Sequence, residues 1–196
     1  MRTATINRKT NETDVSLTLN LDGSGKSDVS TGVGFLDHML TLFAAHGRFD
    51  LDVRCTGDIE VDGHHSVEDV GIALGEAVLR ALGDKKGIVR YGSMLVPMDE
   101  ALVLCAADLS GRACLRYKAE IPAQKVGSFD TELAKEFFAA FTRKAELALH
   151  LRQLDGENSH HIIEAMFKAF GRALAQAVCI DKAHAGEIPS TKGVLQ

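Results

Sequence analysis

No apolar run in these 196 residues approaches the ~18–20 that a membrane-spanning helix needs. The N-terminal stretch MRTATINRKTNETDV has no apolar signal-peptide core and no small-residue cleavage site. Basic charge is short as well: Lys plus Arg is 22 against Asp plus Glu at 27, a formal net charge of −5. A nucleic-acid surface needs an excess of basic charge on one face. Cysteines are few and scattered, and Cys55, Cys105, Cys114 and Cys179 form no Cys-x-x-Cys pair. They read as free thiols in a reducing cytoplasm. There is no P-loop and no dinucleotide glycine fingerprint, so no nucleotide cofactor is expected. What remains is 45% hydrophobic and 25% charged, the balance of a folded, soluble, cytoplasmic chain that engages neither membrane nor nucleic acid.

What the chain does have is histidine, eight in all, four of them in two His-His doublets. The doublets belong to an internal repeat. Residues 64–82 (HHSVEDVGIALGEAVLRAL) align with residues 160–178 (HHIIEAMFKAFGRALAQAV), with His64/His160, His65/His161, Glu68/Glu164, Ala73/Ala169, Gly75/Gly171, Ala77/Ala173 and Ala81/Ala177 identical. Apolar residues recur at helical spacing without proline, so both segments read as amphipathic helices. Upstream of each, a helical segment precedes a strand: Phe35–Ala45 then Leu51–Cys55, and Thr131–Leu147 then Leu149–Leu154. Strand-like stretches at Thr3–Arg8, Val15–Leu21, Met94–Asp108 and Ala113–Ala119 come earlier still, bounded by glycine turns.

Strands followed by helices, twice over, predict an α+β fold. Two similar halves, 1–92 and 93–196, would each carry a mostly antiparallel sheet with helices on one face. A half of this size is marginal alone, so the two are expected to pack as one compact unit.

On a helix at ~100° per residue, the first histidine and the glutamate of HHxxE lie ~40° apart, and the second histidine and the glutamate ~60° apart. Imidazole nitrogens with a carboxylate oxygen suit Mn²⁺, Fe²⁺, Zn²⁺ or Co²⁺. Histidines that merely cap helices or lie on a solvated face are the bland alternative, and two copies of the pattern argue against it. Adjacent histidines point ~100° apart, so each doublet more naturally serves two ions, and each motif would give ligands to both.

With DGHHSVEDVGIALG, GENSHHIIEAMFKAFGRAL, GVGFLDHML, RKTNETDV and the terminal PSTKGVL, the chain resembles the imidazoleglycerol-phosphate dehydratases of histidine biosynthesis over essentially its whole length. The resemblance implies four-stranded sheets in each half and homo-oligomers, trimers that assemble with Mn²⁺ into a 24-subunit shell with active sites between subunits. It implies a hydro-lyase that converts D-erythro-imidazole glycerol phosphate to imidazole acetol phosphate. No carbonyl acidifies the proton to be lost, so the imidazole must supply electrons; two metals, one per ring nitrogen, would stabilise an imidazolate that expels the adjacent hydroxyl through a diazafulvene-like intermediate.

Carried over residue by residue, the resemblance makes His64, His65, Glu68, His160, His161 and Glu164 metal ligands for two Mn²⁺ per chain, with His38 as a further one. Glu136 stands where many members of the family have a histidine, and could ligate through oxygen or be a surface residue. Glu12 becomes a candidate proton-transfer group at the substrate, and Glu164 a ligand first and a base second. His46 would contact substrate; Arg90, Arg112, Ser190 and Lys192 would bind its phosphate. His150 reads as a structural strand residue, and His184 lies in the polar tail. Two other functions compete: a dinuclear phosphoesterase, which usually brings more bridging Asp, and a metal-storage shell, whose four-helix bundle the strand content disfavours.

Overall fold

The structure, a computed structural model, describes residues 2–195. Period-two patterning builds its strands. In β2 (Thr13–Asn20), Val15, Leu17 and Leu19 are buried while Asp14 and Ser16 face outward, as a sheet with one covered face requires. The first half runs β1 (Thr3–Lys9), β2, β3 (Ser27–Ser30), α1 (Gly34–Gly47), β4 (Asp50–Gly57) and α2 (His64–Leu82). The second runs β5 (Tyr91–Met98), β6 (Ala101–Asp108), β7 (Cys114–Lys118), a small hairpin of β8 (Lys125–Val126) and β9 (Phe129–Asp130), α3 (Leu133–Ala145), β10 (Ala148–Asp155) and α4 (Ser159–Val178).

The strand orders are β1-β2-β4-β3 and β5-β6-β10-β7. In both sheets the first three strands pair antiparallel and the last lies parallel to its neighbour. One topology repeated twice is the structural form of the sequence duplication, and the expected α+β architecture is the one observed. Two strand expectations needed correction. The stretch Met94–Asp108 is two strands, reversed at Asp99, whose φ of 49° is left-handed, and Glu100. The four-residue β3 has no counterpart among the expected strands, because an edge strand of Ser-Asp-Val-Ser carries almost no hydrophobic alternation.

Helices α1 and α2 cover the first sheet and α3 and α4 the second; across the middle α2 packs on α3, and α1 on α4. Glycine permits the close approach. A β-carbon on Gly71 would lie 2.8 Å from the Phe137 carbonyl oxygen, and one on Gly75 2.5 Å from that of Phe141. These contacts advance in the same direction along both helices, so α2 and α3 run parallel. Phenylalanines fill the space between helices, with Phe43 stacked on Phe170 at 4.9 Å and Phe138 4.8 Å from Phe167. Helix starts therefore gather: Gly63, before α2, faces Val33 and Leu133, and the Phe35 ring lies 5.1 Å from that of His160. No helix among the described residues is long and apolar enough to cross a membrane.

Candidate metal centre

Helix α4 is started by Asn158, whose side-chain oxygen accepts the backbone N–H groups of His160 at 2.9 Å and His161 at 3.3 Å. From there the helical period decides direction. His160 and Glu164, four residues apart, share a face, and His160 Nε2 lies 3.0 Å from Glu164 Oε2. Helix α1 brings His38 to the same oxygen, Nε2 at 3.3 Å. Ligand atoms of the three all lie within 4.8 Å of one another, and this is the group of that kind among the described residues. Two imidazoles that are nearly half exposed and a carboxylate that is 9% exposed make a donor set that fits a borderline divalent cation.

Lys168, one turn further along α4, places Nζ 2.6 Å from Glu164 Oε1. Burial pushes the Glu164 carboxyl up, but the hydrogen bonds with Lys168 and His160 and the lysine's charge outweigh it, and the group is held below the usual carboxylate range. The shift favours the carboxylate form, the form in which such a group can ligate a cation. Lys168 was missed in the sequence, although its spacing of four from Glu164 was the available signal.

The second member of each doublet turns elsewhere. His161 Nδ1 is 2.7 Å from Glu100 Oε2 in the β5–β6 turn, with Nε2 3.7 Å from Asp99. Glu100 also accepts the Asn158 N–H at 2.8 Å, and these two bonds take its carboxyl down to about 2 while His161 is raised. In the first half, His65 Nδ1 is 3.0 Å from Asp58 Oδ2, which raises the imidazole, and Nε2 lies 3.7 Å from Glu12 Oε1. A carboxylate on Nδ1 fixes the tautomer and leaves Nε2 as the available ligand atom. Neither Asp58 nor Glu100 could be found from spacing, since folding alone joins them to their histidines.

His64 opens α2, its N–H donating to Asp62 at 2.7 Å. Glu68 is taken by Arg143 of α3 at 2.8 Å, and Glu136 is half-buried in the first turn of α3. Among the described residues, no hydrogen bond or ring contact joins one doublet to the other.

Around His46, in the last turn of α1, burial and the charges of Lys168 and Arg172 hold the imidazole below its ordinary range. Arg90 is left-handed at φ 77° and gives Nε to Asp108 at 2.7 Å and Nη1 to the Pro189 carbonyl at 2.9 Å. That second bond carries the segment of Ser190 and Lys192 to Arg90. Arg112 lies in the turn just beyond Leu109, whose N–H donates to the Arg90 carbonyl at 3.1 Å. The Arg90 N–H itself donates to the Ala177 carbonyl at 2.8 Å, at the C-terminal end of α4. From His160 to Ala177 the helix rises about 25 Å at 1.5 Å per residue. Thus the structure groups Arg90 with Ser190 and Lys192 at one end of α4 and places His38, His160 and Glu164 at the other. His150 faces outward on β10, and His184 pairs with Asp181 at 2.9 Å.

Residues 31–174 match the family model described as imidazoleglycerol-phosphate dehydratase. Curated relatives of that name include one from Microcystis aeruginosa, 60% identical over 99% of this chain and 93% of its own, and one from Acetivibrio thermocellus, 60% identical over 97% of each. Among solved structures, the Staphylococcus aureus imidazoleglycerol-phosphate dehydratase superposes with a TM-score of 0.84 at 42% identity, covering 91% of this chain and 99% of its own. That from Pyrococcus furiosus, in complex with (S)-C348, gives 0.84 at 37% identity over 97% and 100%. With the fold, the length and the motifs all shared, the chain belongs to the imidazoleglycerol-phosphate dehydratase family of hydro-lyases.

Proposed function

We propose that this chain dehydrates D-erythro-imidazole glycerol phosphate to imidazole acetol phosphate in histidine biosynthesis, as a Mn²⁺-dependent cytoplasmic enzyme. The observation that carries the reading is the convergence of His38, His160 and Glu164 on one point. These three would hold one ion and His64, Glu68 and Glu136 a second, with His65 and His161, the other members of the doublets, as the remaining donors shared between the two. A pair of divalent ions on the two ring nitrogens would make the azole an electron source for expelling the neighbouring hydroxyl.

The chain's own groups do the rest. Lys168, through its hydrogen bond and charge, favours the carboxylate form of Glu164. Glu12, beside His65 Nε2, is the candidate to move a proton at the reacting carbons; loss of the proton next to the departing hydroxyl leaves an enol, which tautomerises to the ketone. His46, whose imidazole burial shifts toward the neutral form, would contact substrate. Arg90, Arg112, Ser190 and Lys192 would take the phosphate, and their place at the far end of α4 argues for a homo-oligomer. A separation of about 25 Å is far longer than a three-carbon chain with a five-membered ring, so the phosphate residues of one copy would complete the metal centre of another. Trimers assembled into a 24-subunit shell would supply such pairings.

Elemental analysis of the purified protein, followed by assay of the metal-free and Mn²⁺-loaded forms on imidazole glycerol phosphate, tests the reading. The expected result is ketone formation that requires metal. Release of inorganic phosphate in its place would assign a phosphoesterase, and a metal-loaded assembly without turnover would leave only a storage role.

A further inference from the structure

The duplication places two sets of residues in equivalent positions. Left-handed residues end α1 at Arg48 and α3 at Glu146, which aligns His38 with Glu136. The repeat aligns His160 with His64 and Glu164 with Glu68. The helix contacts obey the same symmetry: Gly171 abuts the Phe43 carbonyl and Gly75 that of Phe141. Fold symmetry therefore predicts a second cluster of Glu136, His64 and Glu68 matching His38, His160 and Glu164, yet only the latter converges among the described residues.

The visible difference is a cation. Glu164 Oε1 accepts from Lys168 of its own helix while Oε2 still faces both histidines. Glu68 bonds instead across the helix interface to Arg143. Arg143 lies two turns beyond Glu136 on the side of α3 that meets α2. Its position on α1 corresponds to Ala45, so the duplicate cluster has no such arginine. Glu136 stands where the duplicate set has His38, so this set carries two carboxylates, and Arg143 offsets part of that charge.

Resting on the metal dependence proposed above, we propose that Arg143 is a positioning residue that holds Glu68 away from the second metal position. The His38–His160–Glu164 position then fills first. The second, built on His64, Glu68 and Glu136, fills only when an incoming ion takes Glu68 from the guanidinium. The ion pair is 57% exposed on its arginine side, so its effect is modest, and removing a positive charge beside a dication adds to it.

The test is titration of metal-free full-length protein with Mn²⁺, reading free ion by its EPR signal. Wild type should show a tight and a weaker class. Arg143→Met should tighten the weaker class by roughly three- to tenfold and leave the tight class unchanged, while Arg143→Lys, which keeps the charge, should restore the wild-type spacing. His160→Ala should remove the tight class. Unchanged constants in Arg143→Met, in protein whose circular dichroism matches wild type, would overturn the role of Arg143. So would a tight class lost in His64→Ala and retained in His160→Ala. Absence of any Mn²⁺ binding by wild type would instead remove the metal reading on which this rests.

Discussion

Gly171 of α4 passes so close to the carbonyl of Phe43 in α1 that a β-carbon would lie 2.6 Å from that oxygen. This contact sets the spacing of the two helices, and the same pair of helices brings His38 to His160 and Glu164. Gly171→Ala must push them apart. It is expected to destabilise the protein by about 1–3 kcal/mol and to weaken metal binding as well. Denaturant unfolding of the variant beside Gly34→Ala, whose added carbon would meet nothing within 4 Å, checks this; equal stability of the two variants would refute it.

Metal binding should be visible as stability. At a free Mn²⁺ concentration of 100 times the dissociation constant, one site contributes about 2.7 kcal/mol, or roughly 5–10 °C in melting temperature for a chain of this size. His38→Ala removes one of the three converging donor side chains and should lose most of the rise from the tight site, with turnover falling by about 100-fold or more. Chelator should abolish the rise in wild type. A His38→Ala protein that gains as much from Mn²⁺ as wild type would exclude this histidine as a ligand.

Arg90 is committed on two sides, to Asp108 and to the Pro189 carbonyl, and is 14% exposed. Arg90→Lys keeps the charge and loses the fork. We expect a KM for the phosphorylated substrate raised about tenfold with a smaller change in kcat, together with faster proteolysis beyond residue 188 as Ser190 and Lys192 lose their tether. An intact tail in Arg90→Lys would argue that the guanidinium serves the phosphate alone.

Asp50 provides a pH-dependent test of the fold. Its Oδ1 accepts N–H groups from Ser24 at 2.8 Å and Lys26 at 3.1 Å, and these bonds hold the carboxyl below the usual range. With the folded value below the unfolded one, the stabilisation is complete above the unfolded pKa of about 4 and is lost as pH falls through the folded value. Asp50→Asn should melt below wild type at pH 7, and the gap should close as the pH drops beneath about 4. A gap independent of pH would show that the carboxylate's charge plays no part.

Much of the candidate site could be read in the chain itself because its spacing is helical. His160 with Glu164, and the repeat that aligns them with His64 and Glu68, follow from a 3.6-residue period. Other partners were invisible for an equally physical reason. Asp58 and Glu100 meet their histidines only because a strand end and a hairpin turn are delivered there by sheet pairing. Arg143 reaches Glu68 because α3 lies along α2.

The sequence by itself determined the duplication, the α+β class, the helices that carry the doublets and the family resemblance, since local periodicity and side-chain chemistry are written in residue order. Only the tertiary structure decided that His38 joins His160 and Glu164, that the equivalent trio does not converge, and that the Arg90 group lies at the opposite end of α4. Those outcomes depend on how closely helices from different halves approach, and that distance is set by glycine-to-carbonyl contacts between residues far apart in the chain.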